Sequence, residues 1–406
     1  MPDLEERFHS LERTPAPDLW EDIAEREPRR TLGPSGGRRV VVVVVALLIG
    51  ASSVGLAVWA LRPADDRSRP AADPTTTIAF TSGVGGYHIA AVTLDGAVTH
   101  LTHPSGGAYD LGPTWSPSGD TIAFLRYTTG PGEDGGDYEL IVADADGRLV
   151  TDFDRTAVGF SWSPDGSRIA FSSFEEDTDH DIVVAARDGT GMRVIVDSPR
   201  SDTGPAWSPE GDLIAFTSGP VLDRDPGDED IYVVRPDGTD LTRLTGPGPD
   251  GSPAWSPNGT RIAYVGARDG ETEIFVIQAD GSGRVALTDA PTNDVTDPVW
   301  SPDGSRIAFG MYSGTDWDVY VVDVDGTDQV PVADGPKDEV GPAWAPDGSL
   351  IAYSAAESAE SCRCDNAARF DIFLVEPNGD GRRRLTIDAS ELGGGLAWRP
   401  PARGTS

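Results

Sequence analysis

The chain has 406 residues, of which 67 are Asp or Glu and 32 are Lys or Arg, so its formal net charge is −35. A charge of this sign argues against a nucleic-acid-binding protein, which needs a basic surface facing the phosphates, and two cysteines are too few for a disulfide framework. The 48 glycines and 33 prolines predict many turns and an all-β chain.

Residues 40–61 form a run of 22 residues without a charged side chain. About 20 apolar residues in a helix suffice to cross the hydrocarbon core of a bilayer, so the run predicts a single transmembrane helix. Five arginines in residues 26–39 precede it and three in residues 62–69 follow it. This bias predicts a cytoplasmic N-terminus and an extracytoplasmic remainder of the chain. A cleaved signal peptide is the alternative, which the long segment before the run disfavours.

The segment before the apolar run predicts short amphipathic helices in the cytoplasm. Phe8 shares one helical face with Leu4 and Leu11, and a second predicted helix carries Trp20. Such helices often bind in a groove of a partner protein, so Phe8 and Trp20 are candidate contacts for a cytoplasmic protein at residues 1–27. The plan is similar to the intracellular heads of anti-sigma-like membrane proteins. A disordered or membrane-lying tail is the alternative.

A repeat occupies the remainder of the chain. Each unit has a Ser-Pro-Asp-Gly-like turn after a tryptophan and an Asp-Gly or Asn-Gly turn further on, which predicts an antiparallel meander of four strands. Four strands at a period of about 45 residues indicate the blade of a β-propeller. Ile-Ala-Phe or Ile-Ala-Tyr starts at Ile78, Ile122, Ile169, Ile214, Ile262, Ile307 and Ile351, and the tryptophans seven residues before the last six are Trp115, Trp162, Trp207, Trp255, Trp300 and Trp344.

The two ends of the repeat complement each other. Ile78 has no tryptophan before it, and Trp398 has no Ile-Ala-Phe after it. We therefore expect the strand at Trp398 to complete the first unit and to close a seven-bladed β-propeller of four-stranded antiparallel blades, which removes a free sheet edge. An open solenoid is the alternative. The predicted organisation is a cytoplasmic segment at 1–39, a transmembrane helix at 40–61, a linker at 62–75, the propeller at 76–400 and a tail at 401–406.

Two segments carry a family resemblance. Residues 162–171 read Trp-Ser-Pro-Asp-Gly-Ser-Arg-Ile-Ala-Phe, and residues 230–245 read Asp-Ile-Tyr-Val-Val-Arg-Pro-Asp-Gly-Thr-Asp-Leu-Thr-Arg-Leu-Thr. Both resemble the repeat of TolB-like β-propellers, and the resemblance extends over residues 76–400. It implies the propeller fold. It implies no single activity, because such propellers occur in Tol-system proteins, in peptidases and in pectin-degrading lyases.

The connections between second and third strands, and those between units, are predicted to gather on one face, where function is expected. This face is rich in acids, which favour a cationic peptide as ligand; a solvated acidic surface without a ligand is the alternative. The candidate partner contacts on it are Glu175, Glu176, Asp177, Asp223, Asp225 and Asp228.

The residue that opens the third strand of each unit is an acid in six units and a histidine in one. Oxygen-rich sites suit Ca²⁺, which takes six to eight oxygen ligands. Ca²⁺ is therefore the only cofactor that the sequence suggests. The alternative is that each acid accepts hydrogen bonds from the loop backbone of its own unit. The residues at this position are His88, Glu139, Asp181, Asp230, Glu273, Asp318 and Asp371, and the candidate calcium ligands are Asp181, Asp230, Asp318 and Asp371.

No catalytic constellation emerges from the sequence. The chain has five histidines, of which His100 and His103 are three residues apart, and the Gly-x-Ser-x-Gly pattern at 33–37 lies in a linker without a strand before it. Cys362 and Cys364 favour a local or unused pair over a redox site. The sequence thus predicts a non-catalytic, membrane-anchored protein that binds a protein, peptide or glycan. The alternatives are an anti-sigma-like signalling protein with the propeller as sensor, and a carbohydrate- or peptide-active enzyme.

Overall fold

The computed structural model describes residues 76–401, apart from 84–85, 130–135, 175–178, 221–227, 247, 269, 290–293, 357–369 and 387–394. The predicted cytoplasmic segment, transmembrane helix and linker lie outside the described residues, as do Cys362 and Cys364. Within the described part, none of the chain forms a helix of the length and apolarity that a membrane crossing requires. The regular elements of this part are β-strands, as the turn-rich composition predicts.

The strands build four-stranded antiparallel units. Units 1 to 3 contain β1 (Thr77–Ser82), β2 (His88–Thr93), β3 (Val98–His100), β4 (Tyr109–Trp115), β5 (Thr121–Thr129), β6 (Gly136–Asp144), β7 (Leu149–Trp162), β8 (Arg168–Ser173), β9 (Asp181–Ala186) and β10 (Arg193–Val196). Units 4 and 5 contain β11 (Ser201–Trp207), β12 (Ile214–Gly219), β13 (Asp230–Val234), β14 (Thr242–Arg243), β15 (Gly251–Trp255), β16 (Arg261–Arg268), β17 (Glu271–Gln278) and β18 (Val285–Ala286). Units 6 and 7 contain β19 (Val295–Trp300), β20 (Arg306–Tyr312), β21 (Trp317–Asp323), β22 (Val330–Ala333), β23 (Glu339–Trp344), β24 (Ile351–Ala356), β25 (Phe370–Val375) and β26 (Arg383–Arg384), and β27 (Ala397–Trp398) returns to unit 1.

Strand β7 departs from the expected repeat. Its first part pairs with β6, up to Thr156 opposite Glu139, and its second part pairs with β8, from Ala157 opposite Ser173. One continuous strand is therefore the fourth strand of unit 2 and the first strand of unit 3, and the two units share a seven-stranded sheet. The strand can continue without a break because it contains no proline. Its single glycine, Gly159, comes after Ala157, where the pairing with β8 begins.

Unit 1 is assembled from both ends of the described chain. Strand β27 pairs antiparallel with β1, with Ile78 opposite Trp398, as the complementary ends of the repeat predict. The order of the sheet is β27-β1-β2-β3, so the edge of β1 is covered. Ile78 and Phe80 of unit 1 also share a buried cluster with Ile372 of unit 7. The first and last units therefore pack against each other.

The repeated tryptophans join neighbouring units. In five units the indole N–H donates to a backbone carbonyl of the preceding unit, and the acceptor is the residue just before that unit's own tryptophan. The arginine before Ile-Ala-Phe adds a second contact, because its guanidinium lies over the tryptophan of the next unit, as Arg168 does over Trp207 at 4.8 Å. The hydrogen-bonded pairs are Trp162 with Thr114 (3.2 Å), Trp255 with Ala206 (3.0 Å), Trp300 with Ala254 (3.0 Å), Trp344 with Val299 (3.1 Å) and Trp398 with Ala343 (2.9 Å).

The tight turns are formed as their sequences predict, and some of them touch the neighbouring unit. In the turn at Ser163, the carbonyl of Ser163 accepts from the amide of Gly166 at 2.8 Å, and Gly166 has a φ of 69°. In unit 2, Gly147 has a φ of 81°, and a Cβ atom there would lie 1.7 Å from the carbonyl oxygen of Leu101 in unit 1. Glycine is required at residue 147 both for its φ and for this close approach.

Candidate functional site

One end of the units collects the irregular connections. Second strands end and third strands begin at this end, and the chain also passes from unit to unit there, for example from β3 to β4. We call this end the loop face. The opposite end carries the tight turns, so the loop face is the part of the molecule that can vary from unit to unit and bind a partner.

Of the candidate partner contacts, the structure describes Asp228. Its carboxylate lies 3.6 Å from the guanidinium of Arg200, which also donates to the backbone carbonyl of Asp228 at 2.6 Å. Both residues lie at the loop face, so part of the predicted acidity there is neutralised locally. The other candidates, Phe8, Trp20, Glu175, Glu176, Asp177, Asp223 and Asp225, lie outside the described residues.

The four candidate calcium ligands belong to four different units. Asp230 forms an ion pair with Arg243 at 2.7 Å, and Asp371 forms one with Arg384. Each of these arginines comes from the fourth strand of the same unit. No group of three or more His, Cys, Asp or Glu side chains in the described part of the chain is arranged to hold a metal ion. Calcium binding thus stays a prediction from the sequence.

A threonine of the fourth strand holds the acid that opens the third strand. In unit 4, the hydroxyl of Thr245 accepts from the amide of Ile231 at 3.0 Å and donates to Asp230 at 3.4 Å. Equivalent threonines accept from the same amide in units 1, 5 and 7. The donor to Asp230 is thus a side-chain hydroxyl of the same unit, and not the loop backbone that the sequence left as an alternative. The other threonines and their donor residues are Thr102 with Ile89, Thr288 with Ile274 and Thr386 with Ile372.

Units 3 and 6 lack this threonine. Asp197 stands in its place in unit 3 and Asp334 in unit 6, because the residue before each of them lies opposite the residue that follows the acid of the third strand. Burial, followed by the carboxylates of Asp197 and Asp179, raises the pKa of Asp181 in unit 3 to about 6. Burial, followed by neighbouring carboxylates, likewise raises the pKa of Asp318 in unit 6 to about 6. Asp181 and Asp318 therefore lack the hydroxyl donor that the threonine supplies in unit 4, and neighbouring carboxylates add to the effect of burial on their pKa values.

A second set of carboxylates was missed by the sequence analysis. Four units carry a fully buried acid five residues before the tryptophan of the first strand. Arg126 contacts Asp110 through two nitrogens at 2.6 and 2.9 Å, and Arg284 reaches Asp250 at 3.4 Å after crossing the ring of Phe275. The recurrence of an acid at this spacing is a signal that the sequence does contain. The four buried acids are Asp110, Asp202, Asp250 and Glu339.

Four tyrosines form a row across the loop face of units 1 and 2. Tyr87 and Tyr109 meet edge to face with ring centroids 5.2 Å apart, Tyr109 and Tyr127 stack at 6.0 Å, and Tyr127 and Tyr138 lie 5.0 Å apart. Tyr109 is 37% exposed. The tyrosines come from separate strands and connections, so only the folded topology brings them together.

Repeated four-stranded antiparallel units, each joined to the next by a buried tryptophan and closed by a strand from the far end of the chain, define a β-propeller. The model of the TolB beta propeller domain matches residues 72–248 and 128–384. The chain therefore belongs to the TolB β-propeller family. None of the curated proteins compared with the chain matches it.

Solved structures share the fold at low sequence identity. A putative TolB from Agrobacterium tumefaciens is 22% identical, with 67% of this chain and 94% of that chain covered and a TM-score of 0.46. An oligogalacturonate lyase from Vibrio parahaemolyticus is 14% identical, with 77% and 85% covered and a TM-score of 0.53. A Mycobacterium tuberculosis puromycin-hydrolyzing peptidase is 16% identical, with 89% and 57% covered and a TM-score of 0.58. The likeness to the lyase and to the peptidase concerns the fold and leaves the activity open.

Proposed function

We propose that this protein is a non-catalytic binding protein, anchored in the membrane through residues 40–61, whose extracytoplasmic propeller binds a basic segment of a polypeptide. The observation that carries the proposal is the tyrosine row (Tyr87, Tyr109, Tyr127 and Tyr138), which lies on the loop face of a strongly acidic protein.

The chemistry of the row suits a cationic peptide. The face of an aromatic ring attracts Lys and Arg side chains, and tyrosine offers rigid contact area at a small loss of conformational entropy. The net charge of −35 steers cationic partners towards the protein and repels anionic ones.

A binding role also agrees with the state of the buried charges. The carboxylates of Asp110 and Glu339 are held by Arg126 at 2.6 Å and by Arg382 at 2.8 Å. Pairs of this kind stabilise a fixed arrangement, whereas a general acid or base needs a proton that it can exchange with a substrate. The activities named for the related lyase and peptidase are properties of those proteins.

The test measures the fluorescence anisotropy of three labelled peptides of equal length: lysine-rich, glutamate-rich and uncharged. The full-length protein in detergent should bind the lysine-rich peptide best. The double variant Tyr109→Ala, Tyr127→Ala keeps the net charge and should weaken that binding about tenfold, which corresponds to about 1.4 kcal/mol. Leu149→Ala, at the tight-turn end, removes a side chain that is 62% exposed and should bind as the parent does. Equal binding by parent and double variant would refute the proposal.

The proposed location has its own test. Protease added to intact cells should digest the propeller and spare an epitope tag at the N-terminus, because residues 40–61 would separate the two. Deletion of residues 40–61 should release the protein from carbonate-washed membranes. A tag that is digested together with the propeller, or a deletion variant that stays in the membrane, would refute the topology.

A further inference from the structure

Three histidines come together in unit 1 at the loop face. His88 opens β2, His100 ends β3, and His103 follows in the connection to unit 2. The Nε2 atom of His88 lies 2.5 Å from the Nδ1 atom of His100. The ring of His103 is nearly parallel to that of His88, with centroids 6.5 Å apart. The position of His88 is the one that an acid occupies in the other six units.

The ring of His88 is held in one orientation. Its Nδ1 atom lies 2.7 Å from the carbonyl oxygen of Gly86. Because a carbonyl oxygen only accepts hydrogen bonds, Nδ1 carries the hydrogen, and a neutral ring then presents the lone pair of Nε2 towards His100. A histidine that donates its second ring N–H to a backbone carbonyl is the usual arrangement of a metal ligand.

His100 is suited to be the second ligand. It is exposed, so its side chain can adjust its position, and its Nδ1 atom faces His88. A neutral imidazole is the form that binds metals.

We propose that His88 Nε2 and His100 Nδ1 bind a late first-row divalent cation, with Zn²⁺ as the occupant. Imidazole ligands suit Zn²⁺, Cu²⁺ and Ni²⁺, whereas Ca²⁺ and Mg²⁺ prefer oxygen. On binding, the hydrogen between the two nitrogens would move through solvent from Nδ1 to Nε2 of His100, which keeps that ring neutral. The two ligating nitrogens would part from 2.5 Å to about 3.3 Å, the separation that two tetrahedral Zn–N bonds require. Water completes the coordination, so the site is open to solvent and to a ligand on the loop face.

The proposed metal site is distinct from the tyrosine row, and the two are adjacent in the sequence. Tyr87 precedes His88 directly and is the first ring of the tyrosine row. A cation at His88 and His100 would add positive charge to one end of that row. It could therefore bind a carboxylate of the partner while the tyrosines bind its basic groups.

The test is a titration of Zn²⁺ into the full-length protein in detergent, with binding measured by isothermal titration calorimetry at about pH 7.5. The parent protein carries Cys362→Ser and Cys364→Ser to remove competing thiolates, and excess Mg²⁺ occupies weak carboxylate sites. We expect one Zn²⁺ per chain and at least a tenfold loss of affinity in His100→Ala. His180→Ala is the matched control, because the Nδ1 atom of His180 bonds Ser201 in unit 3 at 2.9 Å.

Two further measurements keep the proposal falsifiable if a variant folds poorly. Zn²⁺ should raise the unfolding temperature of the parent and of His180→Ala, and leave that of His100→Ala and His88→Gln unchanged. Cu²⁺ bound to the parent should show hyperfine couplings from two imidazole nitrogens in its electron paramagnetic resonance spectrum. A parent that takes up no Zn²⁺, Zn²⁺ binding that survives His100→Ala, or Cu²⁺ without nitrogen couplings would overturn the proposal.

Discussion

The indole N–H of Trp398 donates a hydrogen bond of 2.9 Å to the backbone carbonyl of Ala343 and thereby joins unit 1 to unit 7. The contact repeats the one made by other tryptophans of the family repeat. The junction between units 1 and 2 lacks this contact, because the indole nitrogen of Trp115 is buried without a hydrogen-bond partner. The two tryptophans are similarly buried, so they separate the effect of the hydrogen bond from that of the ring.

The first prediction compares phenylalanine substitutions at these two residues. Trp398→Phe removes ring volume and leaves the buried carbonyl of Ala343 without its donor. Trp115→Phe removes ring volume, loses no indole hydrogen bond and still offers an aromatic face to Arg399. The free energy of unfolding should fall by about 1 kcal/mol more in Trp398→Phe. Urea denaturation followed by circular dichroism measures both. An equal loss in the two variants would mean that the indole hydrogen bond contributes nothing.

The second prediction concerns Gly147, whose turn touches unit 1. Gly147→Ala combines a strained φ with a Cβ atom 1.7 Å from the carbonyl oxygen of Leu101, so the backbone must shift. Gly106→Ala is the control, because Gly106 has a φ of 71° and open space around it. The control should lose about 1 kcal/mol, and Gly147→Ala should lose several times as much or fail to accumulate as folded protein. Soluble yield and unfolding midpoints of the two variants decide the matter.

The third prediction tests the ion pair that occupies a candidate calcium ligand. Arg243→Gln leaves the buried carboxylate of Asp230 without its cation and should lower the free energy of unfolding by about 2–3 kcal/mol. Adding Asp230→Asn should recover most of the loss. Arg235→Gln breaks an exposed pair with Asp240 and should leave the free energy of unfolding nearly unchanged. A double variant no more stable than Arg243→Gln would contradict this account.

The fourth prediction is a dependence on pH. The pKa of Asp318 is about 6 in the folded protein, above the usual value near 3.8. The folded state therefore binds the proton more tightly, and the stability that Asp318 contributes below about pH 4 is lost as the pH rises through 6. Asp318→Asn removes the charge and should raise the unfolding temperature by about 2–4 °C at pH 7.5, with little change at pH 4. A constant difference from pH 4 to 8 would exclude titration of Asp318 as the cause.

The sequence was sufficient for the features that recur. The turns, the four strands of a unit and the return of Trp398 to Ile78 all follow from a pattern repeated along the chain. Each further copy of the pattern is independent support for the same turn and strand assignment. The merged strand β7 was not predicted, because a missing turn between Leu149 and Trp162 is a weaker signal than a turn that is present.

The candidate site depends on contacts that a repeat does not specify. The sequence could suggest Asp230 as a metal ligand because it gave no sign that Arg243 reaches across from the fourth strand. The register of β2 and β3 places His100 opposite Ala90. His88 is two residues from Ala90 and lies on the same face of the sheet, so this register brings the two histidines together. Such contacts are fixed by register and strand order, which a single sequence leaves open.

The pairing of β27 with β1 has a consequence for the synthesis of the protein. Ile78 and Trp398 pair although they are 320 residues apart in the chain, so β1 is synthesised long before its partner β27. Until then, one edge of β1 is exposed and can pair with a strand of another chain. A chain whose synthesis stops before residue 397 lacks β27, so this edge of β1 stays open to pairing with other chains.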